Sequence, residues 1–176
     1  MTVDGFFEGL NKELDWHNVD NEFNDFAIEQ LSNASVLIFG RLTYELMASY
    51  WPTPNALSND PIVAEKMNSI PKIVFSKTLD KTEWNNTRLI KENIEQECKK
   101  LKQQNDKDIF IFGSANLASS FKSLNLIDEY RIMINPIILG QGNTLFKPTK
   151  ERLKLRFIKT RTFNSGNVLL YYESKR

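Results

Sequence analysis

The chain has 176 residues, 41% of them hydrophobic and 26% charged, with a net charge of +1. That length supports a real core, and the composition is that of an ordinary soluble globular protein. The near-neutral balance argues against a general nucleic-acid binder, which carries a marked basic excess. No apolar run approaches the ~18 residues of a membrane helix, and no charged-then-apolar leader opens the chain. Cys98 is the single cysteine, which excludes an internal disulfide and fits a reducing compartment, so the expected location is the cytoplasm. His17 is the only histidine. Without cysteine or histidine clusters, neither a zinc site nor a Ser-His or Cys-His catalytic pair is expected.

Residues 1–10 read as a strand end running into a loop, with Asp4-Gly5 and Glu8-Gly9 as turn signals. Phe6 and Phe7 inside that loop either plug the core or form a hydrophobic lid over a ligand. Residues 20–34 read as a helix, because Phe23, Phe26, Ala27 and Leu31 repeat at helical spacing and Asp20 or Asn21 can cap the start. Glu22 stands four residues before Phe26, on the same face. It is either a first-turn acid favoured by the helix dipole or a carboxylate held beside an aromatic wall. Residues 36–39 form a buried strand ended by Gly40, and a helix from Arg41 to about Tyr50 follows. Trp51-Pro52-Thr53-Pro54 stops that helix, since proline lacks the N–H and clashes with the preceding turn. Asn59-Asp60-Pro61 opens a short helix to about Ser69. Residues 73–75 and 87–90 read as further strands. Ile94, Cys98 and Leu101 mark a surface helix over about 92–104.

The stretch KDIFIFGSANLASSF, residues 107–121, joins a short buried strand to a helix through Gly113-Ser114. A helix start leaves backbone N–H groups unpaired and carries partial positive charge, so it is a natural seat for a phosphate. Gly113 lets a ligand approach the backbone, and Ser114 can cap the helix or bond a phosphate oxygen. Residues 129–139 are apolar and interrupted by Pro136, as in a strand with a bulge or an edge. Gly140-Gln141-Gly142-Asn143 is a glycine loop. Residues 152–163 and 168–173 form a hairpin around Asn164-Ser165-Gly166-Asn167. Strands alternating with helices, then an antiparallel hairpin, predict a single α/β domain over 1–176, with a mostly parallel mixed sheet.

Several segments resemble a known family in its order. Residues 38–45, IFGRLTYE, resemble the Gly-Arg-x-Thr-Trp-Glu segment of dihydrofolate reductases. Residues 73–77, IVFSK, resemble the strand whose following serine or basic residue contacts the adenosine phosphate in that fold. Residues 111–114, IFGS, resemble the family's Gly-Gly turn at the cofactor pyrophosphate, with serine in the second place. Residues 142–146, GNTLF, resemble its Gly-Asp-Thr-x-Phe segment. Thr2-Val3-Asp4-Gly5 is similar to the Ser-Leu-Asp-Gly of a sister group, the reductase domain of the riboflavin-biosynthesis deaminase/reductase and its stand-alone relatives. Residues 126–129 and 136–142 also resemble that group.

The resemblance implies a dihydrofolate-reductase-like three-layer sandwich, NADPH as cofactor, and hydride transfer to a small flat heterocycle such as a pterin or pyrimidine. It implies cofactor contacts from Phe7, Gly40, Arg41, Thr43, Ser76, Lys77, Gly113 and Ser114, and from Ala115, Asn116 and Leu117 behind that turn. Arg41 and Lys77 are the cations suited to a 2′-phosphate. Arg41 as a structural ion-pair partner is the plainer reading. Glu22 is the candidate catalytic acid, with Asp20 and Asp25 as rivals. Phe26, Met47 and Trp51 are candidate substrate walls, and Met47 and Trp51 are equally read as core. A homodimer is implied by the family alone. Relatives carry a strand before Ser-Leu-Asp-Gly, whereas only Met1 precedes Thr2 here, so the first strand is expected to be missing or replaced. The competing reading is a non-catalytic nucleotide-binding or regulatory domain of the same fold.

Overall fold

The computed structural model describes residues 1–104, 106–148 and 152–175. They fall into two compact units, one of residues 24–118 and the other of residues 1–23 with 119–176.

The unit of residues 24–118 is built on a parallel sheet. Its strands are β2 (Ala34–Gly40), β3 (Lys72–Phe75), β4 (Thr87–Ile90) and β5 (Asp108–Ile111), ordered β4-β3-β2-β5. The pairs Gly40 with Phe75 and Ile38 with Ile111 set the register, so β2, β3 and β5 finish side by side. β2 is buried almost throughout, which is why it reads as an unbroken apolar run. Leu37 and Phe39 of β2 and Val74 of β3 are the fully buried centre of the sheet, with Tyr44, Met67 and Trp84 packed in the same cluster. The helices of this unit are α2 (Arg41–Tyr50), α3 (Pro54–Asn59), α4 (Pro61–Ser69) and α5 (Ile94–Gln104). Cys98 is buried on α5.

The strands of the other unit form two small sheets. A short strand β1 (Phe6–Glu8) pairs antiparallel with β7 (Asn143–Thr144). The strands β6 (Glu129–Ile134), β8 (Leu155–Thr162) and β9 (Val168–Ser174) make an antiparallel sheet ordered β6-β9-β8. The helices α1 (Asn21–Ser32) and α6 (Ala115–Ser123) each run from one unit into the other.

Four sequence expectations are corrected. Phe6 and Phe7 lie on β1 and not in a loop, because its partner β7 is 135 residues away and invisible locally. The Pro54 stop does more than end α2. Thr53 accepts from the Ala56 N–H and starts α3, with Pro54 in its first turn. α1 ends at Ser32, and Ala34 already belongs to β2. β6 ends at Ile134, the last residue of its ladder with β9, and Asn135 N–H pairs with the Met1 carbonyl instead (2.7 Å). Beside that end, Val3 N–H donates to the Ile137 carbonyl (2.9 Å). The Met1 ammonium donates to the Met133 carbonyl.

Candidate functional site

Three strand-to-loop joints meet at one end of the parallel sheet: Gly40-Arg41 after β2, Ser76-Lys77 after β3, and Gly113-Ser114 after β5. Open α/β sheets bind ligands at the carboxyl ends of their strands.

The β5 joint is tightly wound. Gly113 and Ser114 sit at φ 59° and φ 58°, both left-handed. Glycine adopts this without penalty and serine does not, so the serine found in place of the family's second glycine carries strain. The Ser114 carbonyl accepts from the Ala118 N–H and opens α6. Behind it, Ala115 is half-buried, Asn116 is exposed, and Leu117 turns its side chain into the core. The close neighbour of this turn is Gly40. A Cβ added there would lie 2.1 Å from Ser114 Oγ and 3.0 Å from Ser114 Cβ. The two glycine joints are therefore in contact, and the space between them admits no side chain.

The β2 and β3 joints carry the charge. Arg41 opens α2 and is exposed, with Nη1 3.1 Å from each carboxylate oxygen of Glu45. That pair is about 42% exposed on each side, so it contributes only about 0.3–0.5 kcal/mol. An incoming phosphate can compete for the guanidinium. Ser76 Oγ accepts from the N–H groups of Thr78 (3.2 Å) and Leu79 (3.0 Å) and shares a hydrogen bond of 3.4 Å with the Thr78 hydroxyl. Lys77 is exposed and Thr43 is half-buried in the first turn of α2.

The remaining candidates are placed as follows. Met47 and Trp51 pack against the buried cluster, and Trp51 Nε1 donates to Met47 Sδ at 3.2 Å. Phe26 is half-buried on α1. Glu22, in the first turn of α1, takes the Asn164 N–H on Oε2 at 2.8 Å, so its carboxylate holds the β8–β9 turn. Of its rivals, Asp20 caps α1 by accepting from Phe23 N–H at 2.8 Å, and Asp25 is exposed. Phe7 is half-buried on β1.

Two motifs that look separate in the chain prove to be one structure. The Asp4 carboxylate accepts from the N–H groups of Leu139 (3.2 Å) and Gly140 (2.8 Å). A hydrogen bond from Thr2, with those backbone donors, holds the Asp4 carboxyl below its usual range. Gly142 sits so close to β1 that a Cβ would meet the Glu8 carbonyl at 2.4 Å.

Sequence reasoning passed over Lys72. It is 1% exposed, and its Nζ donates to the carbonyls of Met67 (2.9 Å), Asn68 (3.0 Å) and Ile70 (2.8 Å) around the end of α4. It also lies over the Trp84 ring at 4.5 Å. Its only signal was a lysine at the head of an otherwise apolar strand. Tyr44 was also missed: its buried hydroxyl accepts the Glu83 and Trp84 N–H groups at 3.1 Å each.

The family model of the RibD C-terminal domain matches residues 1–169. The chain belongs to that family. It is 37% identical over 174 residues to the uncharacterized protein YyaP of Bacillus subtilis (strain 168), covering 98% of this chain and 90% of that one. Among solved structures, a Shewanella sp. PV-4 protein superposes with a TM-score of 0.76 at 24% identity, covering 100% of this chain and 96% of that one. The diaminohydroxyphosphoribosylaminopyrimidine deaminase/5-amino-6-(5-phosphoribosylamino)uracil reductase of Thermotoga maritima superposes with a TM-score of 0.66 at 14% identity, covering 99% of this chain and 54% of that one. The fold is thus the dihydrofolate-reductase-like fold of RibD-type domains, as the motif order implies. No helix among the described residues is long and apolar enough to cross a membrane.

Proposed function

We propose that the protein is an NADPH-dependent reductase that transfers hydride to a small flat heterocycle, a pterin, a pyrimidine or a related carbonyl or imine compound. One observation carries the reading. Gly40-Arg41, Ser76-Lys77 and Gly113-Ser114 share one end of one parallel sheet. The residues there fit a dinucleotide. The start of α6 suits a diphosphate, and the left-handed Gly113 allows the tight turn that leads into it. Arg41 and Lys77 suit a 2′-phosphate, with Ser76 and Thr43 as hydroxyl donors. When bound, the reduced nicotinamide supplies the hydride. Membership of the RibD C-terminal domain family, and the reductase half of the Thermotoga maritima protein's name, support a reductase.

The other site assignments rest on the resemblance: Glu22 as proton donor, Phe26, Met47 and Trp51 as substrate contacts, and Phe7 as a cofactor contact; residues 1–176 as one functional domain rests on length and element pattern, and the cytoplasm on the single Cys98. A homodimer belongs to the same reading. It is supported by Phe157 and Ile158, which β8 leaves 54% and 39% exposed. Light scattering that finds only a monomer removes it.

A second reading keeps the nucleotide site without turnover. The Glu22 carboxylate favours it, because one of its oxygens already holds the Asn164 turn.

Fluorescence titration with NADPH and NADH tests both readings. Saturable binding that depends on the 2′-phosphate is expected, and its absence overturns them together. Oxidation of NADPH against a panel of pterins, pyrimidines and quinones then separates a reductase from a binder.

A further inference from the structure

Tyr44 is 5% exposed, and its hydroxyl accepts the N–H groups of Glu83 and Trp84 at 3.1 Å each. These bonds run from α2 to the loop of residues 76–86 that joins β3 to β4. A second connection closes the same circuit. Trp84 Nε1 donates to Asn68 Oδ1 at 2.7 Å, and Asn68 Nδ2 donates at 2.9 Å to the carbonyl of Trp51, the C-cap of α2. Trp84 is itself 6% exposed, so it is a fixed post. It is fastened to α2 through Tyr44, and to the end of that helix through Asn68 on α4. Two separate points of attachment oppose sliding or rotation of the helix against the loop.

Each of the two joined elements carries one cation of the proposed 2′-phosphate site. Arg41 opens α2, one turn before Tyr44, and Lys77 stands at the start of the loop, two residues past β3. Both cations are exposed. Ser76 Oγ holds the first turn of the loop through the Thr78 and Leu79 N–H groups, and Tyr44 holds its last. We infer that Tyr44 is a positioning residue for recognition of the 2′-phosphate: its hydroxyl fixes the spacing between Arg41 and Lys77 without touching the nucleotide. The inference rests on the cofactor reading above and adds a residue to it. Two cations that close on one phosphate bind best when their separation is set beforehand, so that binding does not have to order them.

Tyr44→Phe keeps the ring, which packs beside Trp84 with centroids 6.2 Å apart, and removes only the acceptor. Calorimetry on the full-length protein gives affinities for 2′,5′-ADP and 5′-AMP, and amide hydrogen exchange is followed on the same samples. Tyr44→Phe should weaken 2′,5′-ADP by about two- to fivefold, the scale of one exposed ion pair, and leave 5′-AMP unchanged. In a Lys77→Ala background the substitution should bring no further loss. Exchange at the Glu83 and Trp84 N–H groups should quicken severalfold. Wild type offers a readout without any substitution: 2′,5′-ADP should slow exchange at both groups, and 5′-AMP should not. Equal weakening of the two nucleotides marks a general loss of structure and overturns the inference. So does an unchanged 2′,5′-ADP affinity, or an undiminished loss in the Lys77→Ala background, where the hydroxyl then acts by another route. Wild-type exchange that ignores bound 2′,5′-ADP overturns it as well. If wild type binds the two nucleotides alike, the cofactor reading falls instead, and unchanged exchange in Tyr44→Phe still rejects Tyr44 as the anchor of the loop.

Discussion

Gly40 and Ser114 are 74 residues apart in the chain and touch across the ends of β2 and β5, with no room between them for a methyl group. Gly40→Ala should therefore cost about 1–3 kcal/mol, because the methyl must displace the Ser114 side chain or the backbone. Ser114→Gly should stabilise by up to about 1 kcal/mol. Relief of the left-handed serine is worth roughly 1–2 kcal/mol, and the freer unfolded glycine returns about 0.5–1 kcal/mol of that. Urea denaturation of both single variants and the double gives the coupling. The double should recover most of the Gly40→Ala loss. An equal loss in the Ser114→Gly background means the strain comes from elsewhere.

Arg41→Ala should weaken NADPH by about tenfold and leave NADH nearly unchanged, the scale of one charged hydrogen bond to a 2′-phosphate. Equal weakening of the two nucleotides in a fluorescence titration removes Arg41 from the phosphate site and leaves it as Glu45's partner.

Glu22→Gln separates two roles for one carboxylate. A proton donor predicts lowered turnover with nearly intact NADPH affinity. A turn holder predicts a small loss of stability with no change in turnover, since Gln keeps an oxygen for the Asn164 N–H. Steady-state rates alongside thermal melts decide between them.

Lys72→Met should cost about 2–4 kcal/mol, because carbonyls at the end of α4 lose a buried cationic donor. Burial lowers the Lys72 ammonium to about 8 from an ordinary 10.5. The unfolded chain thus binds more protons between those values, and stability from this group rises with pH across that window. The stability difference between wild type and Lys72→Met should widen from pH 8 to 10.5. A flat difference shows that Lys72 titrates normally.

His17 packs edge-on against Phe23 with ring centroids 4.8 Å apart. Burial, and then the nearby N-terminal charge, lowers its pKa below 6.5. The folded state favours the neutral ring, so its contribution is present above about pH 6.5 and is lost as pH falls through the lower folded value. His17→Gln should flatten the stability profile on the acid side. Because it is the only histidine, its NMR titration is unambiguous. A midpoint at or above 6.5 contradicts the assignment.

The sequence by itself determined the parallel sheet, its order of strand-glycine-helix joints and the hairpin. Those features depend on short-range periodicity and on backbone-specific residues such as Gly113 and Pro52, whose preferences act within a few residues. Only the tertiary structure decided which polar groups are already engaged. Asp4 with Gly140, Glu22 with Asn164, Gly40 with Ser114 and Lys72 around the end of α4 all join atoms whose approach depends on how the chain closes on itself. No local pattern encodes such a distance. A carboxylate or ammonium reads the same in sequence whether it awaits a ligand or holds a turn.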